Sequence, residues 1–134
     1  MKNFFVRTLL AMTLMASVNV AKSEIAVVMG TGGAPINKEK LANIYLGRSF
    51  ELKPVDLPEG DNLREQFYKK ATEREQAQIK AVWARIVFTG KGQPPLMLPD
   101  AVAVKKAVAT DPKAIGYIDK SAVDNTVKVV MVLD

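Results

Sequence analysis

"FELKPVDLPEGDNLREQFYKK", Phe50 to Lys70, is the stretch on which the fold turns. An extended run carrying Pro54 and Pro58 passes through Gly60 into a helical pattern, with Leu63, Phe67 and Ala71 on one stripe. The two prolines argue for an edge or exposed strand. Asn62 and Glu65 stand at capping-box spacing at the helix start, with Asn in the role that Ser or Thr usually fills. A strand, a glycine turn and a helix in succession form the unit from which α/β domains are built. Free N–H groups and the positive end of the helix dipole converge on such a turn, which therefore suits a phosphate or carboxylate. The same residues also describe a helix capped by Asp61 and Asn62 that binds nothing, with Arg64 paired to Asp61 or to a neighbouring helix.

Downstream, Thr72 and Glu75 repeat the box spacing and open the longest helix. Ile79, Val82, Trp83, Ile86 and Val87 recur at i, i+3, i+4, i+7 and i+8, which predicts an amphipathic helix with Trp83 as a core anchor. "TGKGQPP", Thr89 to Pro95, breaks it into an irregular loop. Asp100 caps a further helix with Val104, Ala107 and Val108 inward, ending before Asp111-Pro112. "AIGYID", Ala114 to Asp119, reads as a strand in which Gly116 permits a close approach. "VKVVMVL", Val127 to Leu133, reads as a strand covered on both faces.

Upstream, "IAVVM", Ile25 to Met29, predicts a buried strand. The glycines of Gly30–Gly33 lack the Gly-Lys-Ser/Thr ending of a P-loop and the spacing of a dinucleotide fingerprint, so they predict a plain turn. Asn37 caps a helix over Lys38 to Leu46, with Leu41, Ile44 and Tyr45 on one face and Gly47 just past its end. The sum is one α/β domain of about four strands and about four helices.

The first 23 residues stand apart. Lys2 and Arg7 precede an apolar run from Leu9 to Ala21, and Ala21-Lys22-Ser23 offers small residues at cleavage-site spacing. This is the order of a secretory signal, cleaved after Ser23 or Ala21; an uncleaved anchor is the alternative. The domain is then residues 24–134. Without Lys2, Arg7 and Lys22 the 19 basic residues fall to 16 against 14 acidic ones, a net charge of +2. With that balance scattered along helices, nucleic-acid binding is not expected. The chain has no cysteine and no histidine, which removes His-dependent triads, thiol nucleophiles and ordinary zinc sites. Neither an enzyme, a cofactor nor a metal is expected.

"LANIYLGRSFEL", the proline-bearing strand to Asp56, "NLREQFYKK", "VWARIVFTGKGQPP" and "DPKAIGYIDKSAV" follow one another in a telling order. Together they resemble the phosphate-binding-protein-like family of periplasmic solute-binding proteins, and most closely its small stand-alone members. The likeness runs from about Ile25 to Val132. It implies a single lobe of the type II periplasmic binding-protein fold, a periplasmic location, a small anion such as phosphate as ligand, and a membrane transporter or sensor as partner. It places the anion site at Gly60, Asp61, Asn62 and Arg64. This chain departs from the family pattern there: "DLPEGDNL" has Gly60 but no Ser or Thr hydroxyl, and no arginine precedes it. Asp56, Glu59 and Asp61 stand where the anion would sit, each like-charge contact costing on the order of 1 kcal/mol or more, with Arg64 offsetting part.

Two other readings follow from the residues. One is a protein–protein interaction module of a cell-envelope complex, using the strand near Phe50 to Val55 and the loop "GKGQPPLML", with Leu96, Met97 and Leu98 as contacts. The other is an enzyme or cation site on Asp56, Glu59 and Asp61, which lack the twelve-residue calcium-loop pattern.

Overall fold

Ile25–Met29, five apolar residues in a row, forms strand β1 and is buried throughout in the computed structural model, which describes residues 24–134. The leader read over residues 1–23 lies outside the described residues. From β1 the chain continues through helix α1 (Lys38–Tyr45), β2 (Lys53–Asp56), α2 (Asn62–Thr72), α3 (Gln76–Phe88), β3 (Leu96–Met97), α4 (Ala101–Thr110), β4 (Ala114–Asp119), a 3-10 turn (Lys120–Ala122) and β5 (Lys128–Leu133). The strands make one sheet in the order β3-β2-β4-β1-β5. β2 runs parallel to both β3 and β4, whereas β1 is antiparallel to both β4 and β5. The result is a mixed α/β fold with one five-stranded sheet and four α-helices.

The core is aromatic where α1, α2 and β4 meet. Tyr45, Phe67, Tyr68 and Tyr117 are all fully buried, and the Phe67 and Tyr117 rings stack with centroids 3.8 Å apart. Each buried hydroxyl or indole N–H has a partner, as low-dielectric surroundings require. The Tyr45 hydroxyl donates to the Val55 carbonyl at 2.8 Å, and Trp83 Nε1 donates to the Tyr45 carbonyl at 3.0 Å. Trp83 therefore anchors α3 to the end of α1, in keeping with its reading as a core residue. Asn37 and Asp100 cap α1 and α4 through their side chains, and Gly47 follows α1 with φ of 69°.

Several expectations are corrected. β2 is not an edge strand: it lies between β4 and the two-residue β3, which begins pairing at Val55, just past Pro54. The missing proline N–H thus falls where the ladder has not yet started. β5 is less completely covered than its composition predicts: Val130 and Leu133 are buried, Val129 and Met131 are partly buried, and Val132 is 40% exposed on this outer strand of the sheet. α2 starts at Asn62, and Asp61 is its cap. The Thr72 and Glu75 box does not form: Glu75 pairs reciprocally with Gln78, and the Thr72 hydroxyl donates back to the Tyr68 carbonyl at 2.6 Å. Val87, read on the buried stripe of α3, is exposed.

Gly116 sits in β4 under two valines. A Cβ there would lie 2.7 Å from Val104 Cγ1 and 2.8 Å from Val55 Cγ2. Both contacts are short β-branched groups with little room to rotate. Gly116→Ala is expected to cost about 1–3 kcal/mol of unfolding free energy, the usual penalty for overpacking, read from urea denaturation midpoints. Gly30 has a similar role: its Cβ would meet the Val108 carbonyl oxygen at 2.7 Å, so this glycine lets α4 pack on the loop after β1.

Candidate binding site at the carboxyl end of β2

β2 ends on Asp56, the one acidic or basic side chain among the buried described residues, 1% exposed. A carboxylate so buried must be surrounded by donors. Its Oδ1 accepts from the Leu57 N–H at 2.9 Å and from the Tyr117 hydroxyl, and its Oδ2 accepts from the Tyr68 hydroxyl. Arg64 Nη2 stands 3.8 Å from Oδ2. Burial, reinforced by the negative charge of Asp56, pushes the Tyr68 and Tyr117 hydroxyls well above the ordinary tyrosine value. Both therefore remain protonated donors to Asp56.

Arg64 reaches this cluster because α2 carries it one turn before Tyr68, over whose ring its guanidinium lies at 5.5 Å. Nη1 donates to the Leu57 carbonyl at 2.9 Å and to Met97 Sδ at 3.3 Å. Its Nε is buried and has no acceptor. The guanidinium is thus held by one carbonyl, one thioether sulfur and a long ion pair, with its Nε–H left over.

The four residues read as an anion site share one turn but face different surroundings. Gly60 is exposed with φ of 85°, a left-handed conformation that a glycine adopts freely. The Asp61 carboxylate accepts from the Leu63 N–H at 2.8 Å and the Arg64 N–H at 3.3 Å. Those are the N–H groups that a bound anion would use, so the turn carries its own anion. Asn62 opens the helix from an exposed position, and Arg64 folds inward as described. Asp56, Glu59 and Asp61 do not converge: Asp56 is buried among the tyrosines, Asp61 caps α2 and Glu59 is exposed. Among the described residues no group of three acidic side chains is placed to hold a metal ion.

Tyr68 and Tyr117 are the participants that sequence reasoning missed. Tyr68 had a local signal, being four residues after Arg64 on the same helix. Tyr117 had none, since it meets Asp56 across the sheet.

Beside this cluster opens a cavity of about 530 Å³. Asp56, Arg64 and Tyr68 form its inner end, Trp83, Phe88 and Met97 line it, and the exposed Glu59 and Lys80 border it. It lies at the carboxyl ends of the parallel strands β2 and β3, where open α/β sheets place their ligands.

No family model matches the sequence, and no curated protein matches it. Among solved structures, an ABC-type phosphate transport receptor from Vibrio cholerae superposes with a TM-score of 0.63 at 16% identity, over 81% of this chain and 46% of that one. A protein described as a phosphate ABC transporter substrate-binding protein from Clostridium perfringens, with bound phosphate, superposes with a TM-score of 0.64 at 18% identity, over 81% of this chain and 45% of that one. Both neighbours are binding proteins rather than enzymes, and this chain spans less than half the length of each. The chain has the phosphate-binding-protein-like fold, in the extent of a single lobe.

Proposed function

We propose that the protein is an exported, periplasmic, non-catalytic solute-binding-like lobe that serves an accessory role in transport or sensing. Its binding surface is the carboxyl end of β2, with Gly60, Asp61, Asn62 and Arg64 shaping the turn beside the cavity. The observation that carries this reading is Arg64, an under-bonded guanidinium held at the inner end of an open cavity at the strands' carboxyl ends. The fold shared with two phosphate-transport proteins supports it. Capture of inorganic phosphate at the turn itself is weak in this reading, because Asp61 already occupies its N–H groups.

A melting-temperature screen of the purified protein with phosphate, sulfate and organic anions tests the reading. At millimolar concentration a bound anion must raise stability by mass action. The expected result is an upward shift that Arg64→Ala abolishes. A flat response to every anion would overturn anion binding.

One set of observations favours the second reading, an interaction module without a small ligand. Phe88 at the end of α3 is 92% exposed, and Leu96, beside Met97 on the outer strand β3, is 65% exposed. Capture of a membrane transporter or sensor without any dependence on anions would favour that reading instead.

A further inference from the structure

We propose that the cavity beside Arg64 takes a small amphipathic organic acid, with its apolar body against Trp83, Phe88 and Met97 and its carboxylate received by Arg64 and Lys80. The inference deepens the function proposed above and rests on it. At about 530 Å³ the cavity falls within the range of small-molecule sites, roughly 300–1,000 Å³. Its lining is mainly apolar, with Val87, Pro94 and Pro95 adding to the three residues named. An inorganic ion gains nothing from such walls, whereas an alkyl or aryl body does.

The charges select the head group. Asp56 already receives both tyrosine hydroxyls and the Leu57 N–H, so it has little to offer a cation. Arg64 is the opposite case. Its ion pair with Asp56 is long, one of its contacts is a thioether sulfur, and its Nε–H lacks an acceptor. A carboxylate is a better partner than any of these, and a small rotation of the guanidinium would reach it. Lys80 is exposed at the border of the cavity and makes no ion pair among the described residues. Glu59 lies on the same border and penalises a second negative charge, which favours a monoanion over phosphate.

The test uses the fluorescence of Trp83, the only tryptophan of the chain, with melting temperature as a second readout. The purified protein is titrated with octanoate, with octanol and with inorganic phosphate. Octanoate is expected to shift Trp83 emission saturably and raise the melting temperature, and octanol to bind about tenfold more weakly for want of a charged head. Lys80→Gln, an exposed substitution that spares the core, should weaken octanoate severalfold and leave octanol unchanged. Equal binding of octanoate and octanol would overturn the head-group assignment. Stabilisation by phosphate but not octanoate would overturn the amphipathic class and leave the proposed function standing. No response to any of the three would overturn both.

Discussion

Asp56→Ala is expected to lower the unfolding free energy by about 3–5 kcal/mol, the cost of breaking a buried charge pair by removing one partner. The substitution strands the Tyr68 and Tyr117 hydroxyls and the Leu57 N–H, and leaves Arg64, whose side chain is 12% exposed, without its counter-charge. Each orphaned group carries a desolvation penalty of about 1–3 kcal/mol. Against a typical total of roughly 5–15 kcal/mol, the variant should be barely folded. Urea titration followed by Trp83 emission measures this directly. Asp56→Asn should fall between the two, because the amide keeps one acceptor but turns a donor towards the other tyrosine. A loss below about 1 kcal/mol for the alanine variant would mean that water or a rearranged Arg64 replaces the carboxylate with ease.

The second large effect is alkaline unfolding. All three tyrosines of the chain are buried, and burial first, then the charge of Asp56, raises each hydroxyl well above the ordinary value of 10.0. In the unfolded chain they ionise near that value; in the folded chain they do not. Their contribution to stability is therefore complete below pH 10.0 and drains away as pH rises above it. Each tyrosine that loses its proton only on unfolding removes about 1.4 kcal/mol per pH unit, so three remove roughly 4 kcal/mol per unit. The fold should collapse within about two pH units, with tyrosinate absorbance and loss of circular dichroism rising together. Tyrosinate appearing while the fold persists would show that at least one hydroxyl is reachable by hydroxide.

The strand–turn–helix unit around Gly60 was legible because its signals are local. Proline, glycine, an Asx cap and a stripe at helical spacing all lie within one stretch, and the same holds for Asn37 before α1 and Asp100 before α4. Asp61 and Asn62 can both cap by residue type, and it is Asp61 that meets the N–H groups of Leu63 and Arg64. What was not legible depends on partners distant in sequence. β3 is two exposed residues with no alternation, and it is a strand only because β2 offers it a free side. β5 reads as a fully covered strand from its composition, yet its rank in the sheet leaves it with a partner on one edge only, and its burial is incomplete. Asp56 looked like one of three surface carboxylates, and the tyrosine that explains its burial lies 61 residues away.

The strand order has a consequence for timing. Ile25 pairs with Asp119 on one side and with Leu133 on the other, so β1 cannot acquire either neighbour until the far end of the chain is available. The central ladder is therefore made of contacts with high loop-closure cost, which form late. During synthesis the first strand therefore waits unpaired for most of the chain's length. The sheet can join β1 to β2 only once β4, which lies between them, has emerged.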